Sequence, residues 1–162
     1  MMPAFIACSD RVEIDAPQQL VWNILYDVRH YPEWNPFTER VITDFKPGSA
    51  VELHVHLPRR GTRLQREFIT LLKPPTQMEW GMHMISEHWL KARRLQTIDI
   101  ISPERCCYHT EDHITGLLAP LVRWLFRQSM IDGFNAMAYA LKQKAEADYR
   151  RISQRDNAKA YS

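Results

Sequence analysis

Over much of the chain, apolar residues recur at every second position. In "AVELHVHL", Val51, Leu53, Val55 and Leu57 alternate with Glu52, His54 and His56. In "QMEWGMHMI", Met78, Trp80, Met82 and Met84 alternate with Glu79, Gly81 and His83. A period of two predicts strands with one face buried. "FIACSDRVEIDAP", "TERVITDF", "TRLQREFITLLK", "LKARRLQTIDII" and "RCCYHTEDHIT" read the same way, less cleanly in residues 63–72 and 90–102. The turns "KPGS", "PRRG", "KPPT" and "SPE" between strands are short, which implies antiparallel neighbours in a meander.

Two segments switch to helical spacing. In "PQQLVWNILYDV", Leu20, Val21, Ile24, Leu25 and Val28 form one stripe. Asp15 stands three residues before Gln18, which predicts a capping box with Pro17 in the first turn. A long helix is expected from about Pro120 to about Ile152, with Leu121, Leu125, Met130, Phe134, Met137, Leu141 and Ala145 on its apolar face. Gly133 interrupts that helix, at a cost of ~1 kcal/mol against alanine, and so marks a bend or a close approach. Between the first helix and the second strand lies "YPEWNP". Pro32 starts a helical turn and Pro36 stops it, so Trp34 is held in a rigid corner.

The order is strand, helix, short helix, six strands, long helix. This is an α+β chain: the apolar sheet face and the apolar helix stripe must cover one another. A twisted sheet cannot follow a straight helix along its whole length, so space between them is expected. At 162 residues the chain suits one domain, taken as 1–155 with a polar, frayed tail at 156–162.

A net charge of +2 gives no footprint for nucleic acid. Arg93-Arg94 and the tail from Lys142 to Arg155 read as solvated surface. Three cysteines, Cys8, Cys106 and Cys107, leave no simple pairing, which points to a reducing compartment and a cytoplasmic location. No run reaches the ~18 apolar residues of a membrane span.

"DAPQQLVWNILYDVRHYPEWNPF" and "GLLAPLVRW", in this element order, resemble the SRPBCC superfamily of START-related proteins, in particular its polyketide cyclase/dehydrase-like branch. The resemblance spans roughly residues 5–150 and is carried by Ala16-Pro17, Val21-Trp22, "YPEWNP" and "GLLAPL". It implies a helix-grip fold: a seven-stranded antiparallel sheet wrapped around a long C-terminal helix and an apolar cavity, with two short helices after the first strand. It also implies that the "YPEWNP" segment caps one end of the cavity.

Strand parity nominates the cavity wall. Leu53 and Val55, then Trp80, Met82 and Met84, would face inward, and Trp34, with Phe37 as a second candidate, would stand at the mouth. On the last strand Tyr108, Thr110 and Asp112 share a face with Cys106 and Ile114. An inward Asp112 would have a raised pKa and, with Tyr108, is the candidate for acid–base chemistry; the structural alternative is a carboxylate bonded to backbone donors near Gly116. Arg66 shares parity with Leu64 and Phe68, and would anchor an anionic or polar group. Leu125, Phe134 and Met137 would close the cavity from the helix. His54, His56 and His83 oppose the apolar faces, so no metal site is expected. No P-loop, dinucleotide fingerprint or nucleophile triad suggests a cofactor or covalent catalysis. Trp124 and Phe126, beside Arg123 and Arg127, leave a transient membrane contact or a homodimer open. The preferred function is binding of a small hydrophobic or amphipathic molecule, such as a lipid, quinone or polyketide-like aromatic. The alternative is a cyclase/dehydratase-like lyase or isomerase using the same cavity.

Overall fold

A computed structural model describes residues 2–160. The two-residue alternation becomes one antiparallel sheet of β1 (Ala4–Cys8), β2 (Val12–Ile14), β3 (Thr38–Ile42), β4 (Ala50–Leu57), β5 (Gly61–Lys73), β6 (Gln77–Met84), β7 (Leu90–Ser102) and β8 (Arg105–Thr115). Its order is β1-β8-β7-β6-β5-β4-β3, and β2 also pairs with β8. Eight strand segments therefore fill seven positions, because the expected first strand is broken in two. At the break the Ser9 hydroxyl accepts from Thr110 N at 3.1 Å, and Asp10 N turns away to donate to Asn135 Oδ1 at 2.7 Å.

Between β2 and β3 lie α1 (Gln18–Tyr26), a 3-10 turn (Val28–His30) and α2 (Tyr31–Trp34). The capping box does not form. Pro17 is the N-cap, and Asp15 instead pairs with Arg105 Nε at 3.1 Å. The long helix α3 (Ala119–Ala160) runs past the expected end near Ile152. At 1.5 Å per residue its length is about 63 Å. Its buried stripe is Met130, Phe134, Met137, Ala138, Leu141 and Ala145, whereas Leu121 is half exposed and Leu125 half-buried. The sheet's inner face packs on that stripe through Leu53, Val55, Trp80, Ile98 and Tyr108.

The "YPEWNP" corner explains Gly133. Asn35 Oδ1 accepts from the backbone N of Phe37 at 3.0 Å and of Thr38 at 2.9 Å. That turn drives the Phe37 ring onto α3. A Cβ on Gly133 would lie 2.2 Å from Phe37 Cδ2, so the glycine marks a close approach. Gly133→Ala should therefore destabilise the protein by about 1–3 kcal/mol through overpacking, outweighing the ~1 kcal/mol helix gain. A urea denaturation midpoint no lower than wild type would refute this packing account.

Candidate functional site

The sheet and the N-terminal half of α3 diverge around a cavity of about 400 Å³. On the sheet side it meets Leu53 and Val55 of β4, Trp80, Met82 and Met84 of β6, and Leu90 and Ala92 of β7. On the helix side it meets Val122, Phe126, Met130 and Phe134. The turn before β5 is tied to α3: Arg60 donates to the Leu125 carbonyl at 2.6 Å, and Arg63 lies over the Phe126 ring at 4.8 Å. A wider depression of about 590 Å³ lies outside the sheet, between Phe5 and Trp124, and has no carboxylate on its wall.

Five ionisable side chains border the cavity: Arg63 and Arg66 at its exposed edge, and, further in, Glu67 on β5, Arg94 on β7 and Asp112 on β8. Arg94 and Asp112 are direct partners in the β7–β8 register. Arg94 is 5 % exposed. Its guanidinium carbon lies 4.9 Å from the Phe37 ring centroid and 4.6 Å from that of Phe134. Nε donates to Thr110 Oγ1 at 3.2 Å, and Nη2 approaches Met137 Sδ at 3.0 Å. Two cation–π contacts contribute about 0.5–2 kcal/mol each and one charged hydrogen bond about 1.5–3. Burying an ion costs several kcal/mol, so these contacts alone leave little surplus. The fields of the two carboxyl groups belong to the same balance.

Those carboxyl groups are driven apart in acidity. Burial first, then repulsion from Asp112, push Glu67 up to about 8, against the pull of Arg94. Burial raises Asp112 to about 6, with Arg94 and His113 opposing. At neutral pH the set is therefore protonated Glu67, ionised Asp112 and cationic Arg94. Asp112 Oδ1 is buried with no hydrogen-bond partner among the described residues. The carboxyl does draw on one backbone donor, the Arg93 N–H of β7, so part of the structural alternative is present while Oδ1 stays unpaired.

Several expected residues stand elsewhere. Arg66 and Phe68 are exposed on the outer face, while Glu67 and Ile69 are buried. The cause is a bulge between Ile69 and Leu71. Before it, Gln65 pairs with Leu53 and Glu67 with Val51; after it, Leu72 pairs with Met78. One extra residue flips the parity, so Leu64, Arg66 and Phe68 share the outer face while Leu72, beyond the bulge, turns inward. Arg66 does border the cavity region, but pairs across the ladder with Glu52. Arg94 corrects the surface reading of Arg93-Arg94: only Arg93 is exposed. Its signal was shared parity with Leu90, Ala92 and Ile98.

Tyr108 and Thr110 face inward but lie behind the cavity. Tyr108 donates to Gln96 Oε1 at 2.8 Å, and burial pushes its phenol up to about 12, which leaves it a poor acid–base group. Thr110 supports Arg94, as does Met137. Leu125 offers its carbonyl to Arg60 rather than a side chain to the cavity. Trp34 packs edge-on against Tyr31 at 5.1 Å and does not border the cavity; Phe37, three residues on, does. His54 and His56 point away from the cavity, and no cluster of metal-ligating side chains occurs among the described residues.

Among solved structures, the chain is similar to a norcoclaurine synthase point mutant from Thalictrum flavum, in complex with a transition-state analogue. The TM-score is 0.67 at 13% identity, covering 90% of this chain and 96% of that one. It is also similar to a START superfamily protein from Mycobacterium smegmatis (TM-score 0.63, 18% identity, 90% and 97% covered). A third is the Zhui aromatase/cyclase from Streptomyces sp. R1128 (TM-score 0.62, 18% identity, 94% and 96% covered). At such identities the likeness establishes the fold. No curated protein matches the chain in sequence. The family model described as polyketide cyclase / dehydrase and lipid transport matches residues 6–146. With that match over most of its length, and the helix-grip architecture beneath it, the chain belongs to the polyketide cyclase/dehydrase and lipid transport family.

Proposed function

We propose that this protein binds a small amphipathic molecule in the cavity between the sheet and α3. The carrying observation is the division of the cavity wall. Leu53, Val55, Trp80, Met82, Val122, Phe126 and Met130 offer apolar surface, and Glu67, Arg94 and Asp112 add ionisable groups to it. Each ~100 Å² of apolar ligand surface removed from water contributes about 2.5 kcal/mol. The ionisable groups then set which end of the ligand enters and how it lies. Lipids, quinones and polyketide-like aromatics all have this division. The reading places the protein in the cytoplasm, with Cys8, Cys106 and Cys107 as free thiols. It keeps a transient membrane contact at the start of α3, where Trp124 is 81% exposed.

The test is native mass spectrometry of the protein purified from its own host, with a thermal-shift screen of lipids, quinones and aromatics. Ligands that co-purify or stabilise should lose at least tenfold in affinity to Met82→Trp, which fills the half-buried wall of β6. Absence of any bound molecule and of any shift would count against the reading.

One observation favours a second reading, an enzyme of the cyclase/dehydratase kind. Glu67 keeps its proton at neutral pH while Asp112 has lost its own, which is the division of labour between a general acid and a general base. Incubating the candidate ligands with the protein distinguishes the two: a bound molecule that loses water over time marks turnover, and an unchanged one marks a carrier.

A further inference from the structure

The surroundings of Arg94 leave its charge without an ion-pair partner among the described residues. Phe37 and Phe134 lie side by side against it, their ring centroids 5.1 Å apart, Thr110 takes Nε, and Nη2 meets a thioether. The Tyr108 hydroxyl also accepts a hydrogen bond from the guanidinium, but neither Glu67 nor Asp112 comes within the 4.0 Å of an ion pair. Guanidinium recognises planar oxyanions by two parallel hydrogen bonds. Facing it, across one step of the β7–β8 ladder, is the unpartnered Asp112 Oδ1. A cation with no ion-pair partner and a carboxylate oxygen with a free acceptor, both on one cavity wall, make a polar site awaiting its partner.

We propose that Arg94 is the anion subsite of this cavity: it takes the carboxylate head of an amphipathic acid, and Asp112 takes up one proton from solvent as that head arrives. This deepens the cavity-binding reading and rests on it. The physical reason is charge balance. With the site empty, Arg94 stabilises the ionised Asp112. A bound carboxylate claims Arg94 and brings a second negative charge beside Asp112, which then holds its proton more tightly. The protonated Asp112 can donate to the ligand it previously repelled. The other titratable groups facing Arg94 do not compete. Glu67 on β5 is already neutral below about 8, and burial keeps Tyr31 of α2 and Tyr108 of β8 protonated. β6 contributes Trp80 and α3 contributes Phe134 and Met137, none of which titrates. His113 and Glu79, which act on Asp112 from a distance, shift its titration in opposite directions.

The experiment compares three probes of one shape by isothermal titration calorimetry: 2-naphthoate, 2-naphthamide and 2-naphthylmethylammonium. The naphthoate should bind at least tenfold more tightly than the amide at pH 6.5, and the ammonium more weakly than either. Its affinity should fall severalfold between pH 6 and 7, below the range in which Glu67 ionises and where the probe itself stays ionised. Titrations in phosphate and in Tris should show uptake of close to one proton per naphthoate and none for the amide. Arg94→Met should abolish the preference for naphthoate over the amide. Should that variant fail to fold, Asp112→Asn answers instead, keeping the naphthoate preference and losing the proton uptake. Equal binding of naphthoate and amide, or naphthoate binding without proton uptake, would overturn the subsite and leave the cavity reading standing. Binding of none of the three would overturn both.

Discussion

Glu67→Gln should raise the stability of the protein by up to about 5 kcal/mol at pH 9 and change it little at pH 4. The sign follows from the direction of the shift. Glu67 holds its proton in the folded protein up to about 8, from an ordinary value of 4.5. As the pH rises between those two values, the unfolded chain releases the proton and the folded one keeps it. Ionisation therefore favours the unfolded state, and wild-type stability falls over that window. Each unit of separation corresponds to about 1.36 kcal/mol. Glutamine cannot ionise, so the variant escapes the loss, and its advantage grows through the window and levels off above it. Denaturant melts at pH 4, 6, 8 and 9 measure this directly. A constant difference between variant and wild type across the series would show that Glu67 is not buried as an acid.

Phe134→Ala should cost about 3–5 kcal/mol, the usual range for emptying a buried aromatic site. Phe134 is 1% exposed, packs edge-on against Phe37 at 5.1 Å and covers one face of Arg94. Truncation removes the packing and uncovers a buried cation together. Phe134→Leu separates the two, since it retains most of the volume and loses the aromatic face. The leucine variant should cost under about 1.5 kcal/mol by packing, with about 0.5–2 more for the lost cation–π contact. A double-mutant cycle of Phe134→Leu with Arg94→Met isolates the second part. A coupling energy indistinguishable from zero would remove Phe134 from the support of Arg94.

These two residues belong to one assembly. The corner "YPEWNP" aims Phe37 at α3, and Gly133 makes room for its ring. Phe37 and Phe134 then form the aromatic wall on which the guanidinium rests, and Thr110 fixes Nε. What looked like a lone aromatic corner in the sequence is the support of the charged site, through Phe37 rather than Trp34.

The architecture was legible in the order of residues because period is a local property. Alternation in β4 and β6, short turns and one long helical stripe dictate an antiparallel sheet against a helix, whatever the details of packing. The inward faces of β4 and β6 were legible for the same reason: Leu53, Val55, Trp80 and Met82 sit where their parity places them. The charged site was not. The bulge between Ile69 and Leu71 is a single extra residue, invisible to a count of alternation, and with it Glu67 rather than Arg66 is the buried one. Arg94 reads as one of two adjacent surface arginines until Phe37, Phe134 and Asp112 arrive from three distant parts of the chain. The sequence by itself thus determined the elements, their pairing and the apolar walls. Which charges those walls enclose was decided only in the tertiary structure, because burial, desolvation and mutual repulsion exist only once the strands and α3 have met.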